Sequence, residues 1–140
     1  MWLALSLLSA LFASLTAILA KIGINNVPSN LAVAIRTFVV LLMSWLMVFI
    51  TSEQSSISLI DKKSWIFLIF SGITTGLSWL FYYKALQSGK ATGVVAVDKL
   101  STILTFILAF VILKEKMTIK SILGCLFIAT GTFFVIPKTI

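Results

Sequence analysis

Five stretches of the chain are apolar over roughly the 20 residues that a helix, rising 1.5 Å per residue, needs to cross a bilayer core of about 30 Å. They predict helices at approximately 2–20, 31–50, 65–86, 91–113 and 119–136. The first is uncharged and the second carries only Arg36. The third holds Lys84 near its end, and the fourth is interrupted by Asp98 and Lys99. The fifth has an uninterrupted core from Ser121, depends on Lys120 snorkelling to the interface, and closes at Pro137. The connections are short: 21–30 contains Asn25, Asn26 and Pro28, 88–90 is a tight turn with Gly89 as a helix C-cap, and 114–116 fits only an antiparallel pair. The polar stretch TSEQSSISLIDKKS, residues 51–64, is expected to be an exposed loop. The pattern predicts an all-α polytopic membrane protein, one domain over 1–140 with five transmembrane helices.

Composition agrees with this pattern. The chain is 60% hydrophobic and 11% charged, against about a quarter charged in a soluble domain. The apolar character runs along the whole length, so no cleavable leader is expected. A net charge of +7 would point a soluble chain toward nucleic acid. Here the ten lysines and one arginine sit mainly at the ends of apolar runs, where they meet anionic headgroups, so the expected partner is lipid and not nucleic acid. With no histidine and Cys125 as the single cysteine, disulfide frameworks, Cys/His metal sites and histidine triads are set aside; no metal or cofactor is expected, and no enzyme activity.

Orientation is finely balanced. An odd number of spans puts the termini on opposite sides, and the side of the N-terminus collects Lys62, Lys63, Lys114, Lys116 and Lys120. The other side collects Lys21, Lys84, Lys90 and Lys138, with Arg36 if it snorkels. Either one strong loop such as Lys62–Lys63 decides, or the chain inserts both ways. Dual insertion would let a short chain build the inverted-repeat architecture of many transporters as an antiparallel homodimer.

Polar and small residues form stripes inside the spans. In the first helix Ser6, Ser9, Ala10, Ala13, Ser14 and Ala17 recur at three-and-four spacing toward Lys21, a face for close helix packing or for lining a cavity. The third aligns Ser71, Thr74, Thr75, Ser78 and Tyr82 beside the Gly72-x-x-x-Gly76 packing pair. Its hydroxyls either bond to their own backbone or face a ligand, whereas Trp79 and Phe81 are expected to fill core or lipid-facing positions. The fourth carries Asp98, Ser101, Thr102, Thr105 and Ala109 along one side. Lys99 lies about 100° round the helix from Asp98, so Asp98 needs another partner. Arg36, at a similar depth in a helix running the same way, is the candidate. A charge at the bilayer centre costs at least about 2.5–3.5 kcal/mol, which argues for pairing, either in a solute pathway or in a structural clamp. Lys21 and Lys84 would form an electropositive mouth on one side.

These residues bring a family into view. The first helix ends Ala20-Lys21, the second has Ile35-Arg36 near its start, and the third ends Phe81-Tyr82-Tyr83-Lys84-Ala85-Leu86. Lys90-Ala91-Thr92-Gly93 opens the fourth and Leu113-Lys114-Glu115-Lys116 closes it, followed by Ile122-Leu123-Gly124 and Thr130-Gly131-Thr132. In order and spacing the whole chain resembles one EamA domain of the drug/metabolite transporter superfamily. Many members of that family join two such domains into ten helices and move small metabolites, amino acids or drugs; the resemblance implies a half-transporter that dimerises, with Gly124 and Gly131 as packing positions. Two departures stand out. Val97-Asp98-Lys99-Leu100-Ser101 replaces the uncharged, often proline-bearing middle of helix four, and helix one lacks the acidic residue of the small multidrug resistance proteins.

The expectation is therefore a secondary transporter of a small solute, working by alternating access in a bacterial cytoplasmic membrane as an antiparallel homodimer. Asp98 would be the proton- or substrate-responsive carboxylate, Arg36 and Lys99 its counter-charges or carboxylate binders, and Tyr82, Ser78, Ser101 and Thr105 the neutral lining. One Asp against Arg and Lys favours an anionic or zwitterionic solute. The alternatives are a passive channel and an accessory half of a heterodimeric transporter.

Overall fold

A computed structural model of the chain describes residues 1–136; Pro137 and Lys138, used above to close the last helix and to count charges, lie outside the described residues. Among these residues the architecture is all-helical: α1 (Trp2–Gly23), α2 (Ser29–Ile50), a 3-10 helix (Glu53–Leu59), α3 (Lys62–Ser88), α4 (Ala91–Asp98), α5 (Leu100–Ile112) and α6 (Ile119–Val135). Four apolar stretches are long enough to cross a bilayer: α1, α2, α3, and α4 continued by α5. At 17 residues, or about 25 Å, α6 is shorter than the roughly 30 Å core.

Several helices outrun their apolar windows, because hydropathy reads the hydrocarbon core whereas backbone bonding continues into the interface. α1 runs on through Lys21 to Gly23 and yields to a turn in which Asn26 takes φ 63°, a conformation that asparagine tolerates well. Pro28 then starts α2, its carbonyl accepting from Ala32 N–H at 3.0 Å. At α3, Asp61 Oδ2 accepts from the amides of Lys63 (3.1 Å) and Ser64 (3.3 Å), so the helix begins three residues before its predicted start. These hydrogen bonds hold the exposed Asp61 carboxyl below the usual carboxylate range, the Ser64 side chain contributing most. The polar connection is thus largely helical, with the 3-10 segment packed on α2. Thr118 caps α6, its hydroxyl accepting from Ser121 N–H at 3.2 Å.

The expectation of one unbroken fourth helix is corrected by the structure, which divides it at Lys99. The Lys99 amide is shared between the carbonyls of Val95 (3.3 Å) and Ala96 (3.2 Å), and Thr102 N–H reaches Lys99 O at 3.0 Å in a three-residue step. A ψ of −15° at Lys99 accompanies this tightening toward 3-10 geometry.

The chain falls into two compact units, Ala20–Gln87 and Met1–Leu19 with the chain from Ser88 onward. In the first, Ile24, Val33 and Tyr83 form the buried core, with Ala20, Ala32, Trp79 and Tyr82 packed against it. Leu86 is completely buried. In the second, α6 packs against both α4 and α5, and Thr132 is its buried polar residue. Large apolar side chains are otherwise widely exposed, as suits helices whose surroundings are lipid.

Candidate functional site

Within Ala20–Gln87 two cations of the spans, Lys21 and Arg36, are met by a carbonyl and by aromatic faces. The last four carbonyls of any helix lack an intrahelical partner, and a lysine near that end also meets the negative pole of the helix dipole. At the end of α3 the Leu86 carbonyl is of this kind, and Lys21 Nζ donates to it. Gln87 returns the tie, its Nε2 donating to Val27 O at 3.1 Å. Lys21 thus closes α3, a use its place at a helix end did not reveal.

Arg36 stands eight residues into α2, counting Ser29 as the first. Its guanidinium carbon lies 4.1 Å from the centroid of Trp79 and 5.6 Å from that of Tyr83. Trp79 and Tyr83 are one turn apart on α3 and both meet the same cation, and a cation over such faces gains about 0.5–2 kcal/mol. Tyr82 is half-buried against the same core, its ring 6.2 Å from that of Tyr83. Ser78 is exposed on α3. Trp79 also forms one wall of an open cavity of about 310 Å³, with Thr37, Val40, Ser44 and Trp45 among the other lining residues. The hydroxyls of Thr37 and Ser44 are turned to their own helix, donating to Val33 O and Val40 O at 2.8 Å.

The second unit holds the acid. Asp98, the last residue of α4, and Lys99, the joint, are both exposed where the backbone ladder is disturbed. One carbonyl at this joint is secured from outside the helix: Thr132 Oγ1 donates to Ala96 O at 3.1 Å. Ser101 and Thr105 follow on the exposed side of α5, and Thr105 donates to Ser101 O at 2.9 Å. The structure therefore gathers Lys21, Arg36 and Tyr82 in one unit and Asp98, Lys99, Ser101 and Thr105 in the other.

The small-residue positions are mostly open. Ala10 and Ala13 are exposed and Ala17 is buried. A methyl group added at Gly72, Gly76, Gly124 or Gly131 would meet no atom within 4 Å. Thr74 and Thr75 bond back to carbonyls of α3. Trp79, Tyr83, Gln87 and Thr132 were not anticipated as site residues. The signal for the first two was register: α2 and α3 are antiparallel neighbours in the chain, and Arg36 lies about as far from the start of α2 as Tyr83 lies from the end of α3.

Four apolar helical stretches long enough to cross a bilayer mark a multi-pass integral membrane protein. The EamA-like transporter family model matches residues 1–136, and the chain belongs to that family. It is 42% identical over 130 residues to an uncharacterized transporter encoded in the cobO 3' region of a Sinorhizobium species, covering 93% of this chain and 92% of that protein. It is also 27% identical over 127 residues to an uncharacterized protein of Methanocaldococcus jannaschii, covering 91% and 90%. No solved structure gives a significant match. The protein is a membrane transporter of small molecules in the general sense of its family, not an enzyme.

Proposed function

We propose that the chain is a single-domain half-transporter that moves a small solute by alternating access as an antiparallel homodimer in a bacterial cytoplasmic membrane. In this reading α6 is the fifth span, and two copies build a ten-helix transporter. The glycine positions of α3 and α6, open within the chain, take the close approach of neighbouring helices in that assembly. Asp98 is the responsive carboxylate, Lys99 and Arg36 supply positive charge, and Tyr82, Ser78, Ser101 and Thr105 line the path.

The observation that supports this most is the interruption of the fourth span at its acidic residue. Transporters commonly bind solute where a membrane helix is discontinuous, because disturbed backbone is tolerated at that depth only when it meets protein or a watery cavity. Two charged side chains beside this local change of hydrogen bonding are costly in lipid, and a solute path makes use of both groups.

Proteoliposomes containing only this chain test the reading, with a metabolite extract outside and mass spectrometry of what enters. Saturable uptake with counterflow is expected, falling at least tenfold in Asp98→Asn. Conductive, non-saturating flux would identify a channel, and uptake that requires a second homologous chain would identify an accessory subunit. For the assembly, Ser56→Cys and Lys90→Cys in a Cys125→Ala background are labelled from outside intact cells. Partial labelling at both sites, completed on permeabilisation, is expected; all-or-none labelling would overturn the antiparallel arrangement.

A further inference from the structure

The transporter reading leaves the solute open, and the surroundings of Arg36 narrow it. Arg36 lies about 10 Å along α2 from its first residue and about 21 Å from its last. The carboxylates of its own unit are Glu53 and Asp61, both beyond that far end, and Asp61 is engaged at the start of α3. What meets the guanidinium within the unit is the pair of ring faces of Trp79 and Tyr83. Ring faces accept no directed hydrogen bonds of the kind a carboxylate does, so the guanidinium keeps N–H donors with which a carboxylate can form two parallel hydrogen bonds. The rings spread the charge without neutralising it, so an anion is the chemical complement. Trp79 joins this cation to the cavity of about 310 Å³, whose walls include Val40, Trp45 and Val48. The hydroxyls there are turned to their own backbone, so the cavity offers apolar and aromatic contact beside one positive group.

We propose that Arg36 over the rings of Trp79 and Tyr83, together with the adjoining α2–α3 cavity, is the binding site for an organic monocarboxylate with an apolar or aromatic body. The carboxylate pairs with the guanidinium edge, and the body lies against Trp79 and Trp45. The shared chemistry, an anion on an apolar stem, also describes an acidic lipid headgroup. This inference gives the proposed transporter its solute class, but its test is a binding measurement that needs no transport.

The probe is phenylacetate, compared with the isosteric phenylacetamide and with phenethylamine. Trp2→Phe and Trp65→Phe leave Trp45 and Trp79, the two tryptophans of the site, as the reporters, and the protein is held in phosphatidylcholine nanodiscs. Phenylacetate is expected to change their fluorescence saturably, at a concentration at least tenfold lower than phenylacetamide, with no saturation by phenethylamine. Arg36→Gln should remove that preference and Arg36→Lys should keep part of it, which separates loss of charge from loss of fold. Equal responses to acid and amide in the Arg36-containing protein would overturn the site, as would an undiminished acid preference in Arg36→Gln. Displacement of phenylacetate when phosphatidylglycerol is added would overturn the solute assignment in favour of a lipid headgroup. Saturable binding without counterflow in proteoliposomes would sink the transporter reading and leave this site standing; counterflow without acid preference at these tryptophans would do the reverse.

Discussion

The unit Ala20–Gln87 and the segment Ser88–Val135 handle polar groups in opposite ways. In the first, side chains far apart in sequence tie helix ends together: Lys21 to the carbonyl of Leu86, Gln87 to that of Val27, and Arg36 to the rings of Trp79 and Tyr83. In the second, the backbone of one span is interrupted, its neighbouring charges Asp98 and Lys99 are exposed, and the threonine of α6 holds one carbonyl at the joint. Cross-links of the first kind hold separate helices together, whereas at the joint one neutral hydroxyl supplements bonds internal to the span. The lesson is that the role of a charge in a membrane domain depends on what meets it. A carbonyl fixed on a neighbouring helix makes Lys21 structural, whereas the rings that seat Arg36 leave its charge in place.

The contrast can be broken most severely at Lys21. Lys21→Met keeps the aliphatic length but leaves the buried end of α3 without its donor, and a hydrogen bond from a charged group is worth about 1.5–3 kcal/mol. The denaturation midpoint of the protein in nanodiscs should fall accordingly, and an unchanged midpoint would mean that the tie contributes nothing. A smaller effect is expected at the other region. Thr132→Val conserves shape but removes the hydroxyl, and about 1 kcal/mol of neutral hydrogen bond corresponds to roughly fivefold faster amide exchange around the joint, residues 97–102. Thr132→Ser should restore protection, and Lys21→Met should leave exchange at the joint alone. The smallest effect concerns the exposed cap at α3. Because folding lowers the carboxyl pKa of Asp61, its capping contribution is present above the ordinary carboxylate value and is lost as pH falls through the folded value. Exchange at Lys63 and Ser64 should therefore rise in acid, and Asp61→Ala should remove that pH dependence.

Much of this fold is written in hydropathy, and the site only in part. Apolar windows mark the spans because lipid demands them, whereas Asp61 was read as part of a loop and its place at the start of the third helix is seen in the structure. The polar interruption at Asp98–Lys99 was visible, but not that the helix divides there, since hydropathy carries no information about which amide bonds to which carbonyl. Lys21 shows a related blind spot: it was read as the rim of an open mouth, and its partner is a backbone oxygen 65 residues away, a group every residue possesses. Trp79 was assigned to core or lipid because an aromatic in an apolar helix usually is; only the register of α2 on α3 distinguishes it as the seat of Arg36. The hydroxyls of α3 and α5 were open to two uses, and bonds to their own helix are seen at Thr74, Thr75 and Thr105.

The tie between Lys21 and Leu86 also bears on how the chain is made. Synthesis delivers the Lys21 ammonium 65 residues before its carbonyl, so while the second and third helices emerge it is a charge without that bond, of the kind that biases which way a helix faces. Once Leu86 arrives, the same charge becomes a stitch within the folded unit. A charge of the kind that biases insertion is thereby taken up by the fold.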